Sequence, residues 1–141
     1  MRIKKKSTII IWCLVVVSSI CLWNVISIQN KYNNKIYAID IMFLSKLRHV
    51  NLTSSNKRTK ELSIECIAQA EALIYFTSYY KDNNELCQCI SRLYELDLSN
   101  EKLQPFYSDI QAYIKKLHSN PNDRDIAKEF LKFIEEIPRI N

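Results

Sequence analysis

One uncharged run constrains this 141-residue chain more than any other feature. Residues 7–28 read STIIIWCLVVVSSICLWNVISI and contain no Asp, Glu, Lys or Arg. As a helix rising 1.5 Å per residue, this run would be about 33 Å long, close to the roughly 30 Å thickness of a bilayer's hydrocarbon core. The remaining chain is too short to surround such a helix with a large soluble core. Residues 7–28 are therefore predicted to form one transmembrane helix.

The charges that flank this run predict its orientation. Within ten residues after the run, the basic residues are Lys31 and Lys35. Four basic residues precede it, namely Arg2, Lys4, Lys5 and Lys6. Because basic residues stay on the cytoplasmic side of a membrane, residues 1–6 are expected in the cytoplasm and the rest outside it. The expected location is a bacterial inner membrane, with an uncleaved signal-anchor and the C-terminal domain facing the periplasm.

A cleavable signal peptide is the alternative interpretation of the same run. Its hydrophobic region would normally span 7–15 residues and end in small residues spaced as A-x-A. The run here is longer, and Val17-Ser18-Ser19 matches that spacing weakly. The anchor is favoured, while a secreted helical protein released by cleavage stays open.

The chain contains no glycine, which excludes several kinds of site in their standard form. A phosphate-binding P-loop, a GxGxxG dinucleotide turn and a GxSxG nucleophile elbow all require glycine. Tight β-hairpins also depend on glycine turns, so its absence favours helices. The composition therefore predicts an all-α protein without a nucleotide cofactor.

The net charge of +5 does not indicate a nucleic-acid-binding domain. Four of the 20 basic residues precede the uncharged run, and 16 follow it together with all 15 acidic residues. A domain that binds nucleic acid concentrates positive charge to displace counterions from phosphates. The part of the chain after residue 28 is nearly neutral, so no nucleic-acid partner is expected.

Periodic apolar residues predict helices throughout the second part of the chain. Residues 29–50 are predicted to form a helical stalk with a stripe that runs from Ile36 to Val50, and residues 51–59 a loop. Further helices are predicted over residues 60–80, 85–96, 103–118 and 121–137. The last of these has Asn120 as its N-cap, Pro121 at the first helical position and Pro138 as the stop, and its apolar stripe runs from Ile126 to Ile137. Short connections indicate antiparallel neighbours. The fold is therefore predicted as one transmembrane helix followed by a small antiparallel domain of about four helices, residues 60–141.

The helix predicted over residues 60–80 carries two apolar stripes on nearly opposite sides. One stripe includes Leu62, Cys66, Ala70 and Leu73. The other is the candidate partner surface and consists of Ile64, Ala68, Ala72, Tyr75 and Tyr79. Two interpretations are open: the helix is central in its own bundle, or one stripe stays exposed until a partner covers it.

Three cysteines follow the uncharged run, and Cys66 with Cys87 is the candidate disulfide. In a simple hairpin these two residues would lie about 18 Å apart along the axis, whereas a disulfide requires Cα atoms within about 7 Å. Buried thiols are therefore favoured over a bridge within the chain, and an intermolecular bridge through Cys87 stays open.

No pattern of metal ligands or catalytic groups is evident. Cys87-x-Cys89 lacks the spacing of a zinc site, and His49 and His118 have no ligating residue four positions away. No catalytic residue, metal or cofactor is expected, and the chain is predicted not to be an enzyme.

These features favour a membrane-anchored protein whose helical domain binds another protein. The size and simplicity of the chain would suit an immunity or inhibitor protein, or an accessory component of a secretion or lysis system. The expected partners are the lipid bilayer and a second protein. A structural protein that self-associates through a coiled coil of the Ile36–Val50 stripe is the alternative of a different class.

Overall fold

A computed structural model describes the backbone of residues 2–137 and the side chains of residues 12–137. The chain is 83% helical, and residues 2–137 contain no strand, which confirms the all-α prediction. The basic side chains of residues 1–6 and the predicted helix stop at Pro138 lie outside this description. The confirmed fold is a long apolar N-terminal helix followed by a helical domain.

Six α-helices and one 3-10 helix occur within residues 2–137. The helices are α1 (Arg2–His49), α2 (Lys57–Ile74), α3 (Tyr79–Asp82), α4 (Asn84–Glu95), the 3-10 helix (Glu101–Phe106), α5 (Tyr107–Ser119) and α6 (Arg124–Glu136). The chain divides into two compact units, Met1–Lys35 and Ile36–Asn141, so the unit boundary falls inside α1.

The second unit begins earlier than the predicted domain of residues 60–141. Phe43, Leu47 and Val50 of α1 are buried in the hydrophobic core. Leu52, in the connection after α1, is fully buried as well. The apolar stripe that predicted a separate stalk over residues 29–50 is thus divided: its C-terminal part belongs to the domain core, because the domain buries these side chains itself.

Helix α4 is central in the second unit, where it packs against both α2 and α6. Helix α5 packs against α6 and the 3-10 helix. Fully buried side chains come from every long helix of the unit and include Phe43, Ile67, Ile74, Leu86, Ile90, Leu93, Ile110, Ile114, Leu117 and Phe130. One core therefore holds the unit together.

The helix predicted over residues 60–80 is interrupted. Helix α2 ends at Ile74, and the short α3 begins at Tyr79. The Thr77 hydroxyl donates to the Ile74 carbonyl at 2.7 Å, which satisfies one of the carbonyls left at the helix end. The buried face of α2 consists of Ser63, Ile67, Ala70 and Ile74 and lies between the two predicted stripes. Of these four residues only Ala70 belongs to a predicted stripe, so neither stripe coincides with the buried face of α2.

Side chains cap the starts of α2, α4, the 3-10 helix and α6. The Asn83 side-chain oxygen accepts from the Leu86 N–H at the start of α4. At the start of α6, Asp123 Oδ1 accepts from the N–H groups of Asp125 and Ile126. The prediction that Asn120 caps this helix was wrong: Asn120 is the C-cap of α5. The Asp123 carboxylate lies at the positive end of the helix, and α6 begins after it at Arg124 rather than at Pro121.

Candidate functional site

The first candidate surface is the apolar part of α1, residues 12–28. Eleven large apolar side chains in this segment are at least half exposed, among them Trp12, Leu22, Trp23 and Ile28. The hydroxyl of Ser18 donates to the Leu14 carbonyl at 2.7 Å, and that of Ser19 to the Val15 carbonyl at 2.8 Å. By length and composition, this part of α1 could cross a membrane, and none of its most apolar stretch is buried within the protein.

The second candidate surface is formed by three exposed aromatic side chains after the end of α2. Tyr75, Phe76 and Tyr80 are 45%, 66% and 45% exposed. The rings of Tyr75 and Tyr80 meet edge to face with centroids 5.6 Å apart, and the Tyr75 hydroxyl lies 2.9 Å from the Ser91 hydroxyl on α4. These three residues are called the aromatic patch below. Edge-to-face contact and the hydroxyl bond hold two of its rings in place.

A groove of about 400 Å³ adjoins the aromatic patch, with Tyr75 and Tyr80 on one side. Its other side is formed by α4 and by Leu131 and Glu135 of α6. Arg92 Nη1 donates to Glu95 Oε2 at 2.7 Å beside it. The groove combines aromatic surface with mixed charge, a composition common at protein interfaces.

The structure separates the residues of the predicted partner surface. Ile64 and Tyr79 pack against the core, and the Tyr79 ring lies 6.0 Å from that of Phe43. Ala68 is half-buried, whereas Ala72 and Tyr75 are exposed. The surface therefore does not form one continuous stripe, because α2 ends at Ile74 and a separate helix, α3, begins at Tyr79.

Phe76 and Tyr80 were not predicted as members of the partner surface. An uninterrupted helix would place Tyr80 on the opposite stripe from Tyr75. The break between α2 and α3 brings the two rings together instead. The adjacent Thr77 and Ser78, which favour local hydrogen bonds over helix continuation, were the available signal for that break.

A second groove, of about 670 Å³, collects basic side chains. Arg48, Lys115 and His118 line it, together with Gln111 and the chain that follows α1. Arg48 lies in the last turn of α1 and His118 in the last turn of α5. Positive charge at a helix C-terminus compensates the negative end of the helix dipole. The positions of Arg48 and His118 are therefore explained by their stabilising effect on α1 and α5.

The cysteines of the second unit are free thiols, and no bridge joins Cys66 to Cys87. Cys66 is half-buried, and Cys87 and Cys89 are buried. Burial raises the pKa of the Cys87 thiol to about 11 and also raises those of Cys66 and Cys89. Because the thiolate is the reactive form, these cysteines are weak nucleophiles at neutral pH.

The histidines do not assemble a catalytic or metal-binding cluster with acids or cysteines. His49 Nδ1 lies 2.6 Å from the Ser45 carbonyl oxygen one turn earlier in α1. His118 is partly exposed near the end of α5. Within the described residues, no three His, Cys, Asp or Glu side chains are placed to hold a metal ion.

Similarity to known proteins does not indicate a function. No protein-family model matches the chain, and neither curated proteins nor solved structures give a match. The inference of function therefore rests on the chain's own surfaces.

Proposed function

We propose that this chain is a single-pass membrane protein whose helical domain lies outside the cytoplasm and binds another protein. The observation that carries the proposal is the exposure of the apolar segment of α1, residues 12–28. Burying a large apolar side chain contributes about 2 kcal/mol, so eleven exposed ones correspond to about 20 kcal/mol. A domain of this size is stable by only about 5–15 kcal/mol. A bilayer would bury these side chains, whereas the domain does not.

The distribution of charge supports a cytoplasmic N-terminus. Four of the first six residues are basic, and only Lys31 and Lys35 follow the apolar segment closely. The positive-inside rule then directs the domain out of the cytoplasm, into the periplasm if the membrane is a bacterial inner membrane.

Labelling with a membrane-impermeant maleimide tests the membrane topology. Ser108→Cys places a thiol on the exposed face of α5, and Ile3→Cys places one before the apolar segment. In spheroplasts we expect the Ser108→Cys variant to react above the background of the unmodified chain and the Ile3→Cys variant to react only after lysis. The reverse pattern would show that the orientation in the membrane is opposite to the proposed one. Equal labelling of both variants in sealed cells would exclude a membrane between them.

We further propose the aromatic patch as the surface that binds the partner protein. Exposed aromatic rings are enriched at the centres of protein interfaces, and large exposed apolar patches are uncommon on monomeric proteins. The patch belongs to the domain, and two of its rings, Tyr75 and Tyr80, are held by mutual contact and by the bond between Tyr75 and Ser91. An immunity or inhibitor protein, or an accessory component of a secretion or lysis system, is the class of protein that we propose on grounds of size and simplicity.

Cross-linking and purification of the full chain from membranes test the partner surface. The variant Phe76→Ser removes the most exposed ring of the patch, and Tyr94→Ser removes a ring on α4 that is 54% exposed and lies outside the groove. We expect the first variant to lose the cross-linked partner and the second to retain it, with the same helical content in both. Retention of the partner by Phe76→Ser and by Tyr80→Ser would reject the patch. Tyr79 is unsuitable for this test because it packs against the core.

The burial of part of the Ile36–Val50 stripe favours the proposed function over the coiled-coil alternative. Phe43, Leu47 and Val50 of the Ile36–Val50 stripe are buried in the domain core and cannot pair with another copy while the domain is folded.

A further inference from the structure

We infer that α1 pairs with the α1 of a second copy of this chain through the helix face that carries Asn24. The inference rests on the proposed membrane span. It concerns a part of α1 that the domain core does not bury, in contrast to the Ile36–Val50 stripe. Asn24 is exposed, as are the neighbouring side chains of the apolar segment.

If α1 spans a bilayer, Asn24 lies within its hydrocarbon core. The charged residues on either side of the apolar segment are Lys6 and Lys31, so the uncharged stretch is centred between Ser18 and Ser19. Asn24 lies five to six residues beyond that centre, about 8 Å along the helix axis. Half the hydrocarbon core is about 15 Å thick, so the Asn24 amide lies inside the hydrocarbon.

The polar side chains of the apolar segment differ in whether their own helix provides a hydrogen-bond partner. Ser18 and Ser19 donate to carbonyls of their own helix, so their hydroxyls need no outside partner. The side chain of Asn24 is exposed in the described structure, so the rest of the chain does not cover its amide. Transfer of an amide into hydrocarbon is costly unless a hydrogen bond compensates it. Asn24 therefore needs a partner from outside the chain.

A second copy meets this need by symmetry. Copies that insert with the same orientation place Asn24 at the same depth. The amide carries both donors and an acceptor, so two copies can bond to each other reciprocally. At 100° per residue, the positions on this face within about 40° of Asn24 include Cys13, Val17 and Ile20. These are small or β-branched side chains that allow close helix packing, and interhelical amide bonds are a known driving force between membrane helices.

Cys13 provides a natural reporter of the pairing. It lies three helical turns before Asn24 on the same face, whereas Cys21 is turned about 60° away. We expect a membrane-permeant oxidant to cross-link the full chain in native membranes as a dimer on a non-reducing gel. The dimer band should fall several-fold in the Cys13→Ser variant and persist in Cys21→Ser and Cys66→Ser. A band that depends on Cys66 instead would place the contact in the domain and contradict the inference.

Energy transfer between labelled copies of the full chain in liposomes measures the strength of pairing. We expect Asn24→Leu to raise the apparent dissociation constant about ten-fold. Asn24→Gln keeps the amide, so its apparent dissociation constant should be close to that of the unmodified chain. Ser19→Ala is the matched control, because Ser19 lies on the opposite side of the helix and bonds within its own helix.

The outcomes separate this inference from the proposed function on which it rests. If the chain is monomeric at every protein-to-lipid ratio, or if Asn24→Leu pairs as strongly as the unmodified chain, the second-copy inference is overturned and the membrane span stands. Binding of Asn24 by water or by a different protein would give one of these results. If alkaline carbonate extracts the unmodified chain from membranes, the proposed span itself fails.

Discussion

Buried polar side chains fasten the connection between α1 and α2 to the rest of the domain. Gln111 of α5 is buried, and its Nε2 donates to the Val50 carbonyl at 2.7 Å. Its Oε1 accepts from the Leu52 N–H at 2.9 Å. One side chain thus satisfies two backbone groups that have no helical partner. No periodic pattern in the sequence identifies such a role, because it depends on contacts about 60 residues apart.

Gln111→Leu should destabilise the folded domain by about 2–4 kcal/mol, because it leaves two buried backbone groups without partners. Gln69→Leu on the exposed face of α2 is the control and should change stability by less than about 0.5 kcal/mol. Urea unfolding of the full chain in detergent, followed by circular dichroism, measures both. Equal stability of the two variants would show that water replaces the Gln111 amide.

Cys87 should make the stability of the domain depend on alkaline pH. Burial raises the pKa of the folded thiol to about 11, from 9.0 for an unburied thiol. Between these values the unfolded state releases its proton while the folded state keeps it. The stabilising contribution is therefore complete below pH 9 and is lost as the pH rises towards 11.

Urea unfolding at pH 8, 9 and 10 tests this dependence. The free energy of unfolding should fall less steeply with pH in Cys87→Ala than in the unmodified chain. Cys13→Ala, in the apolar segment, should retain the full slope. Parallel curves for all three proteins would show that the Cys87 thiol ionises as readily in the folded domain as in the unfolded chain.

At the scale of elements, sequence patterns located the helices better than their faces and ends. The apolar run, the loop after α1 and the helices around residues 85–96 and 103–118 were found from composition and period. The core face of α2 was not found, because it includes the polar residue Ser63. The buried Ser63 hydroxyl accepts a hydrogen bond from the Asn51 N–H and donates one to the Thr59 carbonyl. A pattern that counts only apolar residues omits such a position. The break after Ile74 was missed as well, and a distant carboxylate holds the residue that precedes α3.

That carboxylate is Asp40, a buried acidic residue of α1. Its Oδ1 accepts from the Ser78 N–H at 2.8 Å and its Oδ2 from the Ser78 hydroxyl at 2.7 Å. The two bonds fix the residue before α3 and, through it, the turn that carries the aromatic patch. Hydrogen bonds to a charged group are stronger than those between neutral groups.

Asp40→Ala should destabilise the domain by about 2–3 kcal/mol and loosen α3. Glu129→Ala, an exposed acidic position of α6, is the control and should be nearly neutral. Hydrogen exchange of the amides of residues 76–82 should accelerate in the first variant and stay unchanged in the second. Unchanged protection of this segment in Asp40→Ala would contradict a role for the carboxylate in holding α3.

At the scale of the whole molecule, the two compact units differ in how much apolar surface they expose. The second unit buries its large apolar residues around α4, except at the aromatic patch and a few scattered positions. The apolar segment of the first unit exposes nearly all of its side chains. Charge and length predicted this segment from sequence alone. The aromatic patch could not be predicted in the same way, because it arises from a helix break.

Above all, we propose that the apolar segment of α1 is retained in the mature protein and lies in a membrane. The most direct test is the intact mass of the protein recovered from membranes after washing with alkaline carbonate. We expect the chain to stay in the membrane pellet with its full mass of 16.7 kDa. Recovery in the carbonate supernatant, or as a shorter chain that lacks residues 7–28, would contradict it.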